Sequence, residues 1–88
     1  MTHQARRPVG NAPMHHPGVV TNVHDGRVDV LLFAGAVPTV IPNIQHLPGM
    51  ELKRGYRVVV SSFQHDCCVV AVIGFMTDEQ VTAEQDNP

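Results

Sequence analysis

Short runs of β-branched and aliphatic residues, separated by glycine, proline and Asp-Gly, constrain the fold of this chain more than any other feature. Valine and isoleucine favour strands, and turn residues bound each run. Asp25-Gly26 separates the first two runs and predicts a hairpin with a type I′ turn. The predicted strands are residues 18–24, 27–33, 37–41, 56–63 and 67–75.

Five strands within about sixty residues predict an all-β domain, a small five-stranded antiparallel barrel, because closure removes exposed strand edges. The order is a three-stranded meander, a longer connection over residues 42–55 and a final hairpin. This order favours an OB-like barrel, with an SH3-like barrel as the alternative. The connection is rich in proline and glycine, so we expect a loop or a single turn there rather than a helix. Pro38 and Pro42 restrict the third strand to an edge or to strand ends.

The two ends of the chain differ from its centre in composition. Residues 1–16 contain Arg6, Arg7 and several prolines and histidines, and they predict an extended N-terminal arm. The barrel domain is expected over residues 17–76, where four bases balance four acids. Residues 77–88 carry four acids and no base, and they predict an acidic tail with a short helix. Thr77 is the expected N-cap of that helix, with Gln80 at the capping-box position.

Composition and motifs exclude several classes of protein. With 43% hydrophobic and 16% charged residues, the bulk of the chain is not disordered. No apolar run approaches the roughly 20 residues of a membrane span, and the first sixteen residues contain no secretion signal. We therefore expect no membrane partner.

No arrangement of residues indicates catalysis, a metal or a cofactor. Cys67 and Cys68 are adjacent on a predicted strand and point to opposite faces, and no zinc-type spacing is present. A cysteine nucleophile would rely on His65, but an apolar run raises the pKa of a thiol instead of lowering it. The prediction is a protein without catalytic residues, metal ligands or cofactor, and not an enzyme.

Both faces of the last strand, from Cys67 to Phe75, are apolar, so both should be covered. The chain's own arm, loop and tail could cover the outer face, or a partner subunit could. A domain of this size has little material for double coverage, which favours a homo-oligomeric assembly. Arg6 and Arg7 would then pair with a neighbour's acidic tail. The candidate contact residues on the strands are Leu31, Phe33, Val59, Phe63, Val70 and Val72.

The alternative is a module that binds single-stranded nucleic acid, because OB folds often do so. Its candidate residues are Arg27, Phe33, Arg54 and Arg57. Binding of this kind needs a basic groove with stacking aromatic residues. The neutral barrel, the acidic tail and the few aromatic residues oppose it.

The spacing of glycine, valine and proline over residues 17–76 is also informative. It includes Gly18-Val19-Val20, Gly26-Arg27-Val28, Val40-Ile41-Pro42, Gly55-Tyr56-Arg57 and Val72-Ile73-Gly74. This stretch resembles the OB domain of contractile-phage and siphophage baseplate spike and tail-hub proteins. The resemblance implies a bacteriophage virion protein assembled in the host cytoplasm: a tail-hub or baseplate subunit, a connector or a capsid decoration, with other virion proteins as partners. The chain ends twelve residues after the barrel, so the needle and bound iron of some spike proteins are not implied.

Overall fold

Five strands form a closed barrel and a short helix follows them, in a computed structural model that describes residues 14–33, 37–64 and 66–86. The prediction of an all-β barrel is confirmed. The elements are β1 (Met14–Val23), β2 (Val28–Leu32), β3 (Thr39–His46), β4 (Tyr56–Phe63), β5 (Asp66–Phe75) and α1 (Asp78–Asp86).

The strands close in the order β1-β2-β3-β5-β4, which is the order of an OB-type barrel. All neighbours are antiparallel except β3 and β5, which are parallel and pair only through Gln45 with Cys68 and His46 with Val69. The sequence-based prediction of a fully antiparallel barrel is wrong for this pair. The long connection after β3 lets the chain form β4 beside β1, so that β5 returns in the direction of β3.

Strand β1 closes the barrel because it pairs with β4 through its first half and with β2 through its second half. Gly18 belongs to both pairings, and a Cβ atom there would lie 2.6 Å from Cγ1 of Val30. The close approach of β1 to β2 therefore requires glycine at this position. Because β1 begins at Met14, residues 14–16 are part of the barrel and not of the predicted arm. The rest of that arm, with Arg6 and Arg7, lies outside the described residues.

Strand β3 is longer than predicted and is displaced along the chain. It begins at Thr39 instead of Val37 and continues past Pro42 to His46. A bulge in the pairing with β2 accommodates the proline, and Asn43 in this bulge has a φ of 58°.

The turn between β1 and β2 is not of the predicted type I′. A type I′ turn needs positive φ at both central residues, and Gly26 has a φ of 78° but Asp25 does not adopt a positive φ.

The connection from β3 to β4 contains two tight turns and no helix, where the sequence predicted a loop or a single turn. Its Leu52 joins the interior of the barrel. The interior is formed mainly by valines of four strands, with one isoleucine and this leucine: Val20, Val28, Val30, Ile44, Leu52, Val58, Val60 and Val69.

Helix α1 packs on the outside of the barrel, over β1 and β2. Its N-terminus has the predicted capping box, since the amide of Gln80 donates to Oγ1 of Thr77 and the amide of Thr77 donates to Oε1 of Gln80. Val81 is the buried residue of the helix, and it forms a second apolar cluster with Val19 and Leu31. Within the described ranges no helix is long and apolar enough to cross a membrane.

Replacement of Gly55 by alanine should destabilise the protein far more than the same replacement of Gly26. Both glycines have positive φ, at 96° and 78°, so both variants incur the strain of a left-handed residue. A Cβ atom at Gly55 also collides with the carbonyl oxygen of Met76, whereas Gly26 faces open space. We expect a loss in unfolding free energy of about 1–2 kcal/mol for Gly26→Ala and about 3 kcal/mol or more for Gly55→Ala. Urea denaturation measures both, and equal losses would contradict the close packing at Gly55.

Candidate functional site

The C-terminal half of β5 is an open strand edge. Among the described residues, β5 pairs with β3 only at Cys68 and Val69, and beyond this point it pairs with β4 alone. We call Val70–Phe75 the β5 edge. It contains no charged residue and no proline, and Val72, Ile73 and Phe75 are 37%, 51% and 71% exposed. A long apolar edge that contains no charged residue and no proline is a site for pairing with another chain.

The N-terminal half of β3 is the other open edge, and it is guarded. There β3 pairs with β2 alone. Pro42 offers no N–H group to a further strand, and the bulge at Asn43 interrupts its regular course. The β5 edge also has two bulges, in its pairing with β4, but each of its residues keeps a backbone N–H group because none is proline. Pro42 therefore distinguishes the two edges, since the β3 edge lacks a donor and the β5 edge lacks none.

Two of the predicted contact residues are covered by the chain itself. Leu31 is 3% exposed, in the cluster beneath Val81, and Phe33 is partly buried against the same cluster. Leu31 is therefore not available to a partner in this structure, because the acidic tail folds into a helix that covers it, whereas the assignment of the half-buried Phe33 to a contact surface stays a prediction. The chain's own tail thus covers β1 and β2 but not the β5 edge.

The other predicted contact residues lie on β4 and β5. Val59 and Val70 are half-buried, whereas Phe63 is 43% exposed and Val72 belongs to the β5 edge. Sequence reasoning missed Ile73 and Phe75 as exposed residues. Strict alternation along the strand would put both on the same face as the buried Val69, but bulges opposite Arg57/Val58 and Val59/Val60 break that alternation.

Arg54 attaches helix α1 to the barrel. Its Nη1 donates to the carbonyl of Thr21 at 2.8 Å, its Nη2 to Oγ1 of Thr82 at 3.0 Å, and its Nε to Oδ1 of Asp78 at 3.2 Å. A further bond runs from Nη1 to Oε1 of Gln85. Arg54, a candidate residue for binding nucleic acid, is therefore engaged within the chain. The same holds for the carboxylate of Asp78, one of the four acids of the tail that was expected to pair with a neighbour's Arg6 and Arg7.

The remaining residues of the predicted nucleic-acid surface are not brought together. Arg27 follows the β1–β2 turn and donates to the carbonyl of Asn43, while Phe33 follows the other end of β2, about 20 Å along the strand. Arg57 lies on the outer face of β4. A groove of about 360 Å³ does open beside Arg27, and Asp66 lies in its wall. Its lining comprises Arg27, Ile41, Pro42, Asn43, Ile44, Gln45, Asp66 and Cys67, so it holds one base and one acid.

A small polar network fixes the β3 bulge to the β1–β2 hairpin. Asp29 accepts a hydrogen bond from the backbone amide of Asn43 at 2.9 Å, and its other oxygen lies 2.9 Å from Nε2 of His24. These contacts, the Asn43 bond foremost, lower the pKa of Asp29 because they favour its ionised form. The network is structural and holds the wall of the groove.

His65, on which a cysteine nucleophile would rely, lies outside the described residues. Cys67 and Cys68 are free and half-buried, and burial raises the pKa of the Cys68 thiol. In the described part of the chain no group of three or more histidine, cysteine or acidic side chains is placed to hold a metal ion.

Comparison with protein-family models, curated proteins and solved structures gave no match for this chain.

Replacement of Arg54 by alanine should loosen helix α1. The variant loses hydrogen bonds from a charged donor, which lowers the unfolding free energy by about 1–3 kcal/mol. Lys53→Ala is the matched control, because Lys53 is exposed and its loss should change stability by less than about 0.5 kcal/mol. Urea denaturation and hydrogen exchange at the Val81 amide measure the two effects. An unchanged exchange rate in Arg54→Ala would contradict the role of Arg54 in docking the helix.

The stability of the fold should fall in acid through Asp29. Because its folded-state pKa is lowered, the carboxylate stabilises the fold above the ordinary aspartate pKa, and this contribution is lost as the pH falls through the folded value. We expect wild type to exceed Asp29→Asn in unfolding free energy at about pH 5, with the difference shrinking towards zero in stronger acid. Denaturation series at several pH values measure it, and a difference that grows in acid would contradict the sign.

Proposed function

We propose that this chain is a non-enzymatic structural protein, a small β-barrel subunit that docks through its β5 edge into a symmetric protein complex. One observation carries the proposal: a six-residue strand edge without charge or proline exposes Val72, Ile73 and Phe75, whereas the apolar cluster on β1 and β2 is covered by the chain's own helix. A free-standing domain rarely leaves such an edge open.

The setting we propose is a bacteriophage virion, in which the protein is a tail-hub or baseplate subunit, a connector or a capsid decoration. This part rests on the resemblance of residues 17–76 to OB domains of phage baseplate and tail-hub proteins, and the OB-type strand order is consistent with it. In this setting the partners are further copies of the chain and other virion proteins.

The arrangement of charges supports a protein partner over the nucleic-acid alternative. Arg54 is held by α1, Phe33 lies against the cluster beneath that helix, and the groove beside Arg27 contains an acid as well as a base. Binding to single strands needs a continuous basic groove with stacking aromatic residues. The described residues provide an apolar edge instead.

Introduction of a lysine on the β5 edge should dissociate the assembly. In Ile73→Lys a charge replaces a 51% exposed apolar side chain at the open edge, where burial against a neighbour would desolvate it. Val40→Lys is the matched control, because Val40 is 40% exposed on the guarded edge of β3. Native mass spectrometry at micromolar concentration should show an oligomer for wild type and Val40→Lys and a monomer for Ile73→Lys.

Circular dichroism and thermal unfolding establish that both variants are folded. A wild-type protein that stays monomeric at every concentration, or an Ile73→Lys variant that keeps the wild-type mass, contradicts the proposed docking through β5.

A further inference from the structure

Arg57 directs an unpaired positive charge towards the β5 edge. It pairs in register with Gly74, and its side chain lies across that glycine: the Cβ position of Gly74 is 3.5 Å from Cδ and 3.8 Å from Nη1 of the arginine. The absence of a side chain at Gly74 leaves room for this path. Among the described residues, no carboxylate lies within ion-pair distance of the guanidinium.

Asp66 is the matching negative charge at the other end of the same hairpin. It begins β5, pairs with Phe63 at the end of β4 and is exposed. Its carboxylate forms no ion pair within the described part of the chain, even though Arg27 lines the same groove. The neighbouring Phe63 is 43% exposed, so this end presents an apolar side chain next to an acid.

These two ends cannot meet within one chain. Strand β4 is eight residues long, which separates Phe63 from the end that carries Tyr56 and Phe75 by about 25 Å. The two ends of the β4–β5 hairpin therefore differ. One end carries Phe63 and Asp66, and the other carries Arg57, Ile73 and Phe75. Two different surfaces that complement each other are what a head-to-tail contact between identical subunits requires.

We propose that the neighbour at the β5 edge is a second copy of this chain, joined head to tail. The exposed Phe63 of one copy packs on Ile73 and Phe75 of the next, and Asp66 of the first copy pairs with Arg57 of the second. This inference rests on the proposed function and names the partner of the same edge. Repetition of such a contact gives a ring when the rotation between successive copies closes and a helical filament when it does not; the symmetric complex proposed above corresponds to the ring.

Charge separates this arrangement from its main alternative, a two-fold contact between the β5 edges of two copies. A two-fold axis near Ile73 would bring the two Arg57 side chains close together on one face, away from Asp66. An axis midway along β5, at Val70, would place each Arg57 opposite an Asp66, but β3 already pairs with β5 beside that point and occupies the edge. Like charges facing each other destabilise strand pairing. The head-to-tail contact instead gives each arginine a carboxylate.

The first test blocks each end separately. In Phe63→Lys the end with Asp66 is blocked, and in Ile73→Lys the end with Arg57 is blocked. Each variant should be a monomer by native mass spectrometry. Their equimolar mixture should form a one-to-one heterodimer and nothing larger, because each variant retains the surface that the other lacks. The two substitutions give different chain masses, so the spectrum identifies the composition.

The second test reverses the charges at exposed positions, which leaves the fold intact. Arg57→Asp and Asp66→Arg should each weaken association about three- to tenfold, since attraction is replaced by repulsion. The double variant Arg57→Asp/Asp66→Arg should recover to within about twofold of wild type, measured by sedimentation or mass photometry.

The outcomes separate this inference from the proposed function. If wild type assembles and Ile73→Lys is monomeric while Phe63→Lys keeps the wild-type mass, the β5 edge is the docking surface and the head-to-tail contact is wrong. A mixture that stays monomeric, or a double charge variant that is no better than the single ones, also overturns the contact. A monomeric wild type overturns the proposed assembly itself.

Discussion

The turn at Arg54-Gly55 is the junction on which the rest of the structure depends. The Gly55 amide donates to the carbonyl of Val20 in β1, and its own carbonyl accepts from the amide of Met76 after β5. The adjacent Arg54 reaches Thr21 and helix α1. One turn therefore fixes the position of β1, the start of β4, the end of β5 and the direction in which the chain leaves the barrel. Glycine is required because the turn has a positive φ and the Met76 backbone lies against it.

The direction set at this junction decides which apolar surface the chain can cover. From Met76 the chain turns over β1 and β2, where Val81 closes the cluster of Val19 and Leu31. A nine-residue helix cannot also cover the β5 edge on the other side of the barrel. In a small domain the material for a second layer is scarce, so among residues 14–33, 37–64 and 66–86 the edge that the tail does not reach stays exposed. The exposed edge is thus a consequence of where the tail is attached.

Features set by neighbouring residues could be predicted from the sequence. The capping box depends on Thr77 and Gln80, three residues apart, and the first hairpin on Asp25-Gly26; both are present in the structure. The parallel contact of β3 with β5 and the extension of β1 to Met14 depend on pairings far apart along the chain. The bulges in β5 could not be found from alternation, which assumes that they are absent. For this reason the sequence indicated an apolar fifth strand but left open which of its faces the barrel covers, and it did not single out Ile73 and Phe75 as exposed.

The roles of the charged residues could not be predicted from their number either. Equal counts of bases and acids in the barrel do not show which groups each arginine contacts. Arg54 is engaged by the helix, Arg27 by the backbone of the β3 bulge, and Arg57 alone of these three extends towards an open edge. With Asp66 at the opposite end of the β4–β5 hairpin, the barrel has no net charge but has two unlike ends. Two such ends do not meet across a two-fold axis near Ile73, and β3 occupies the edge of β5 where an axis midway between the ends would lie. A contact repeated from copy to copy brings the unlike ends together, and the symmetry of a complex built from this subunit then follows from the angle between successive copies.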